Sequence, residues 1–118
     1  MACSHIEGTW PDPTLLADTG EVTRDPVLVI TPGGGSGFKG RFQVPREPEF
    51  DVHCTQHALH SEVSFTRTHL DGMTTAYTAI HVRIRPRRNV DIFAGRFTRR
   101  RSDGSILAVG DWETEKPT

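Results

Sequence analysis

Glu62-Val63-Ser64-Phe65-Thr66-Arg67-Thr68-His69, then Leu70-Asp71-Gly72, then the run Met73–Ile84: this stretch decides the fold. Val63, Phe65 and Arg67 alternate with Glu62, Ser64 and Thr66, the period of a strand with one face turned to a core. Asp-Gly between two such runs is a hairpin signal, because the turns that match strand twist need positive φ at their central residues. The return run is long. Tyr77 and Ala79 take the inward parity at its start, whereas Ile80, Val82 and Ile84 take the opposite one. A bulge near Ala79–His81 is therefore expected.

The same pattern extends in both directions. Gly37–Val44, Phe50–Gln56, Val90–Arg99 and Ile106–Glu115 alternate between turn signals, and His5–Trp10 and Pro26–Thr31 precede them. Together with Glu62–His69 and Met73–Ile84 they make eight candidate strands in 118 residues, with no convincing helix. A single all-β domain follows, an eight-stranded antiparallel up-and-down β-barrel, because an open sheet would leave edges that invite pairing. Thr14–Asp25 holds Leu15-Leu16-Ala17 without a period and reads as a long loop. Val27–Ile30 is continuously apolar, as in a strand buried on both faces or at a homodimer contact. The turn from Pro32 to Gly37 lacks the Gly-Lys-Ser/Thr of a phosphate loop.

A net charge of −1 gives no pull toward nucleic acid or a membrane surface. No apolar run approaches the roughly 20 residues of a membrane span. The start, Met1 to His5, lacks the basic and apolar regions of a secretory leader, so a cytoplasmic protein is expected. On that reading Cys3 and Cys54 are two free thiols; a disulfide would need the first strand beside the fourth. Arg83, Arg85, Arg87, Arg88, Arg96, Arg99, Arg100 and Arg101 are opposed in their stretch only by Asp91. Without interleaved stacking aromatics they read as a solvated face rather than a nucleic-acid site.

Gly8-Thr9-Trp10 opens the first strand, and Gly110-Asp111-Trp112 with Lys116 closes the last. A cation laid over an indole adds about 0.5–2 kcal/mol. This combination resembles the barrel closure of the calycins, the lipocalin, fatty-acid-binding and avidin group. Gly37-Phe38-Lys39-Gly40-Arg41-Phe42 is similar to the third-strand pattern of avidins. Val63–Gly72 through Tyr77, with Phe93-Ala94-Gly95-Arg96-Phe97, is similar to small bacterial and fungal calycin-like barrels. The resemblance implies a barrel closed by Trp10, Trp112 and Lys116. It does not carry a biotin site over: Pro11-Asp12-Pro13 stands where avidins place polar biotin-binding residues, and the mid-barrel tryptophans of that pocket are missing. No histidine is singled out as a haem ligand, and no cofactor is expected.

The inward polar set is Arg67, His69 and Tyr77, with Cys54, Gln56 and Phe65 beside them. A buried Arg must be paired or meet an anion. No acid shares its expected face on strands four to seven, so Arg67 is expected to anchor a carboxylate or enolate-like oxygen of an apolar ligand, with Tyr77 donating a hydrogen bond. Alternatively Arg67 snorkels to water at the mouth. Three function classes follow: small-ligand binding, a cofactor-independent isomerase or cyclase in the same pocket, and a protein-interaction module with a filled core. They part on whether Phe38, Phe42, Phe65, Tyr77, Phe93 and Phe97 fill the barrel. His53, His57 and His60 are dense, but on a strand His53 and His57 lie about 13 Å apart. One metal would then need a helical turn or a ligand from another strand, and solvent-facing histidines with no metal are expected.

Overall fold

The computed structural model describes residues 3, 5–35, 37–85 and 89–118, and these contain strands and turns but no helix. The strands are β1 (Gly8–Trp10), β2 (Thr14–Ala17), β3 (Val22–Arg24), β4 (Leu28–Pro32), β5 (Phe38–Phe42), β6 (Phe50–Gln56), β7 (Ser61–Thr68), β8 (Thr74–Ile84), β9 (Val90–Arg100) and β10 (Ile106–Pro117). From β4 to β10 each strand pairs antiparallel with the next, an up-and-down meander. β1 pairs with β4, and the β2–β3 hairpin pairs with β10, so the two sheet ends are β1 and β3.

The stretch read as a loop, Thr14–Asp25, is thus two strands. Leu15 and Ala17 point inward and Leu16 outward, an alternation too short to register as a period. The ladders Gly8↔Ile30 to Trp10↔Leu28 and Thr14↔Arg24 to Leu16↔Val22 continue one register. Between them lie Pro11-Asp12-Pro13 and Asp25-Pro26-Val27, where proline withholds the N–H a ladder needs. Only three residues separate β1, at one end of the sheet, from β2, next to the strand at the other end. The ends therefore curl toward each other, and the sheet is barrel-like.

β8 needs no bulge. Thr75, Tyr77, Ala79 and His81 are all buried, and pairing with β9 runs unbroken from Thr74↔Arg100 to Ile84↔Val90. Ile80 points outward and is 45% exposed, so its apolar character, not the backbone, breaks the pattern. The irregularity lies in β10, between Ile106 and Ala108. In β4, Leu28 and Ile30 are buried and Val29 half-buried, so that strand is not buried on both faces. The expected turn at Arg85–Asn89 includes residues 86–88, with Arg87 and Arg88, which lie outside the described residues, as do residues 1, 2 and 4 of the start and Ser36.

Inside, rings touch from one end to the other. Trp10 stacks on Phe93 at 3.9 Å, and Phe93 lies 5.8 Å from Trp112. Trp112 meets Tyr77 edge-on at 5.1 Å, and Phe65 stacks between Tyr77 and Phe50 at 4.8 and 5.0 Å. Phe42 closes the column, 5.7 Å from Tyr77. The chain start adds to it, since Cys3 and Ile6 are buried and Trp10 Nε1–H donates to the Ile6 carbonyl at 2.9 Å. The two expected free thiols are instead a disulfide: Cys3 folds back beside β6 and bonds Cys54, with 6.2 Å between their Cα atoms.

Gly95 permits the tight curl. A Cβ there would run into the Thr78 carbonyl oxygen and lie 2.6 Å from the Ala79 Cα, both backbone. Trp112, the cross-strand partner of Gly95, lies across the gap and donates Nε1–H to Thr78 O at 3.0 Å. Gly95→Ala is expected to cost about 1–3 kcal/mol by overpacking. Gly34→Ala, where an added Cβ meets nothing within 4 Å, should stay within about 0.5 kcal/mol. Urea denaturation of the two variants checks the contrast.

Candidate functional site

Two polar clusters cap the ring column. At one end β7, β8 and β9 bring Arg67, Thr75 and Arg99 side by side, because Arg67↔Thr75 and Thr75↔Arg99 are cross-strand partners. The acids that sequence reasoning could not find come from connections between strands. Glu47, after β5, accepts from Arg67 Nε and Nη2 at 2.8 Å each. Asp25, between β3 and β4, accepts from Arg67 Nη1 at 3.3 Å, Arg99 Nη2 at 3.5 Å and the Tyr77 hydroxyl. The Arg67 guanidinium also lies 4.6 Å from the Phe42 ring centre.

Arg67 is therefore neither an unpaired anchor awaiting an anion nor a snorkelling side chain. Burial opposes its charge, and Glu47 and Asp25 outweigh that and hold it firmly protonated. Burial, with the neighbouring Asp25, pushes the Tyr77 phenol far above its usual value and keeps it a neutral donor. His69 shares Thr75 Oγ1 at 2.8 Å with Arg99 Nε at 3.0 Å. Burial, then Arg67 and Arg99, lowers its pKa.

Of the other expected ligand residues, Phe65 is inside the ring stack and Cys54 is in the disulfide. Gln56 caps the β6–β7 turn, donating to the carbonyls of His57 and His60 at 2.7 and 3.3 Å and accepting from Ser61 Oγ at 2.9 Å. Among the described residues no buried side-chain nitrogen or oxygen lacks a hydrogen-bond partner. Arg67, His69 and Tyr77 are each hydrogen-bonded to neighbours within the chain.

At the opposite end the Asp91 carboxylate is fully buried. Arg83 donates to it in a fork at 2.8 and 2.7 Å, His81 Nε2 at 2.9 Å, and Lys116 Nζ at 3.2 Å. Lys116 Nζ also lies 5.0 Å from the Trp10 ring centre. Trp112 sits mid-column rather than at this end. Burial alone would raise the Asp91 pKa; Arg83, His81 and Lys116 outweigh it and hold the carboxyl far below the usual range. Burial lowers His81 despite Asp91, so it donates as the neutral imidazole.

Two concavities lie on the outer face of the sheet. One of about 620 Å³ is lined by Thr14, Leu16, Val22, Ala94, Gly95, Arg96, Asp111, Trp112 and Glu113. A second, of about 360 Å³, runs over β7–β9 with His53 and Glu62 at its margin. In the larger groove Leu16 and Val22 are 46% and 61% exposed. Arg96 bridges it, pairing with Asp18 at 2.9 Å and Asp111 at 3.0 Å. No protein-family model matches the chain, and no curated protein or solved structure matches it either.

Proposed function

We propose that the chain is a binding module with a solid core, which acts through its outer face, and that the occupant of its larger groove is a second copy of itself. The observation that supports this reading is the unbroken column of touching rings that runs through the interior from Trp10 to Phe50. A calycin-like architecture remains the reading of the fold. Taking β1 with β2 and β3 with β4 as single kinked strands gives eight strands in up-and-down order, with Lys116 against Trp10.

The groove over β10, β2 and β3 suits an isologous contact, which needs a self-complementary patch. It offers Leu16, Val22 and Ala94 as apolar surface, rimmed by Glu113 and by the Arg96–Asp111 pair. Contiguous exposed apolar surface rimmed by charge marks interaction sites. The disulfide favours an oxidising compartment over the cytoplasm expected from free thiols; no helix among the described residues is long and apolar enough to cross a membrane.

Sedimentation velocity between about 1 and 200 µM, the range where modest interfaces form, tests the reading. The parent is expected to pass from monomer to dimer, and Leu16→Asp to stay monomeric with unchanged circular dichroism. A parent that stays monomeric throughout overturns it. So does saturable, one-to-one binding of the fluorescent fatty acid cis-parinaric acid that Arg67→Ala abolishes, since that result restores an interior site.

A further inference from the structure

His53 in β6 and His57 in the β6–β7 connection look too far apart for one metal when laid on a strand. The turn sets His60 beside His57 instead. His57 N–H donates to His60 O at 2.8 Å, closing the connection into a tight loop. The Gln56 amide holds both carbonyls from beneath, and Ser61 Oγ fixes the amide in turn. The loop so pinned sets the His57 and His60 rings face to face, 4.8 Å apart. Glu62 is the first outward residue of β7. Its Oε1 lies 3.4 Å from His57 Nε2 and 3.8 Å from His60 Nε2.

From this geometry we propose a divalent transition-metal site made by His57, His60 and Glu62. One donor atom from each lies within 4.8 Å of the other two. A tetrahedral zinc with bonds of about 2.0–2.1 Å separates its donors by about 3.3–3.4 Å. The His57–Glu62 distance already has that value. The other pairs reach it by a small swing of side chains that are 35–59% exposed, with the backbone of the turn already fixed. Two imidazoles and one carboxylate suit zinc, nickel or copper, whereas calcium and magnesium prefer all-oxygen sets. Three protein donors leave one position for water or an outside ligand, the coordination state of exchangeable rather than structural zinc. Glu62 also borders the groove over β7–β9, so an outside ligand has a surface to approach along. His53, although in the same run, does not belong to the donor set. His69 and His81 are engaged in their own hydrogen bonds, and both cysteines are in the disulfide, so no thiolate competes.

The test is calorimetric titration of the oxidised full-length chain with Zn²⁺, joined to the visible absorption of the Co²⁺ form. The parent is expected to take up one equivalent and to show the intense bands of a tetrahedral nitrogen–oxygen site. His57→Asn, His60→Asn and Glu62→Gln are each expected to weaken binding at least about tenfold. His53→Asn and Leu16→Asp should bind as the parent does, and the latter separates this site from the dimer reading. All five positions are exposed or half-buried, so circular dichroism checks folding. A parent that binds no stoichiometric Zn²⁺ overturns the proposal. So does one whose binding survives all three donor substitutions, or is lost equally with His53→Asn.

Discussion

Asp91→Ala is expected to lower stability by about 3–5 kcal/mol, the cost of leaving buried charges without their partner. The carboxylate is the shared acceptor of Arg83, His81 and Lys116, and its own exposure is nil. Its removal leaves a guanidinium and an ammonium facing each other beside the Trp10 ring. Asp91→Asn keeps the shape but cannot hold three donors, and belongs with Ala. The exposed Lys39–Asp51 pair is the control: both ends are solvated, and Asp51→Ala should leave the urea midpoint in place. The pH dependence has a definite sign. Asp91 has a folded pKa below its unfolded value, so its contribution is complete above the ordinary carboxylate range and is withdrawn as pH falls through that range toward the lowered folded value. His81 has a lowered pKa as well, so unfolding takes up a proton there, and stability declines as pH drops below about 6.5. Both groups act in one direction. Urea midpoints measured from pH 8 to pH 2 should fall in the parent as His81 takes up its proton on unfolding, and below the ordinary carboxylate value of 3.8 they should fall further in the parent than in Asp91→Asn. A parent profile that rises on acidification would sink this account of the cluster.

How much of this was legible in the sequence follows from what each signal measures. Alternation at Val63, Phe65 and Arg67 reports which face is buried, and β7 and the Asp71-Gly72 hairpin follow directly. The same rule fails at Ile80, because an apolar residue on the outer face mimics an inward one. It also fails at Leu15-Leu16-Ala17, where one alternation is too short to count. Arg67 and Tyr77 could be assigned inward from their strands, but not their partners. Asp25 and Glu47 sit in connections whose course no periodicity encodes, and they turn an apparent anion-binding site into a satisfied ion cluster. Cys3 was hidden for the same reason. Its approach to Cys54 depends on the chain start folding back under the shell, a non-local event. Strand spacing separates His53 from His57, whereas His57, His60 and Glu62 come together because Gln56 pins a tight turn, which no periodicity encodes. Residue types were readable throughout; closures between segments distant in sequence were not.

Reducing the Cys3–Cys54 bond, or replacing both residues with Ser, is expected to lower stability by about 4 kcal/mol. The bond joins positions 51 residues apart, and a cross-link over a loop of that length removes about that much conformational freedom, as free energy, from the unfolded chain. The folded state loses something too. Cys3 and Ile6 are buried under the shell, and the Ile6 carbonyl accepts the Trp10 indole N–H. Without the tether, what the described residues of this short segment keep is their apolar contacts and that hydrogen bond, and short segments so held come loose. Two readouts therefore belong together. The urea midpoint of the double Ser variant should fall well below that of the parent, and its tryptophan emission should shift red at denaturant concentrations where the parent is unchanged, as Trp10 loses its cover. Thiol titration in denaturant decides the premise. The unreduced chain should expose no reactive thiol, and the reduced chain two. Two thiols titrating before reduction would mean that the segment is not tied down, and the interior beside Cys54 would then be open to a ligand after all.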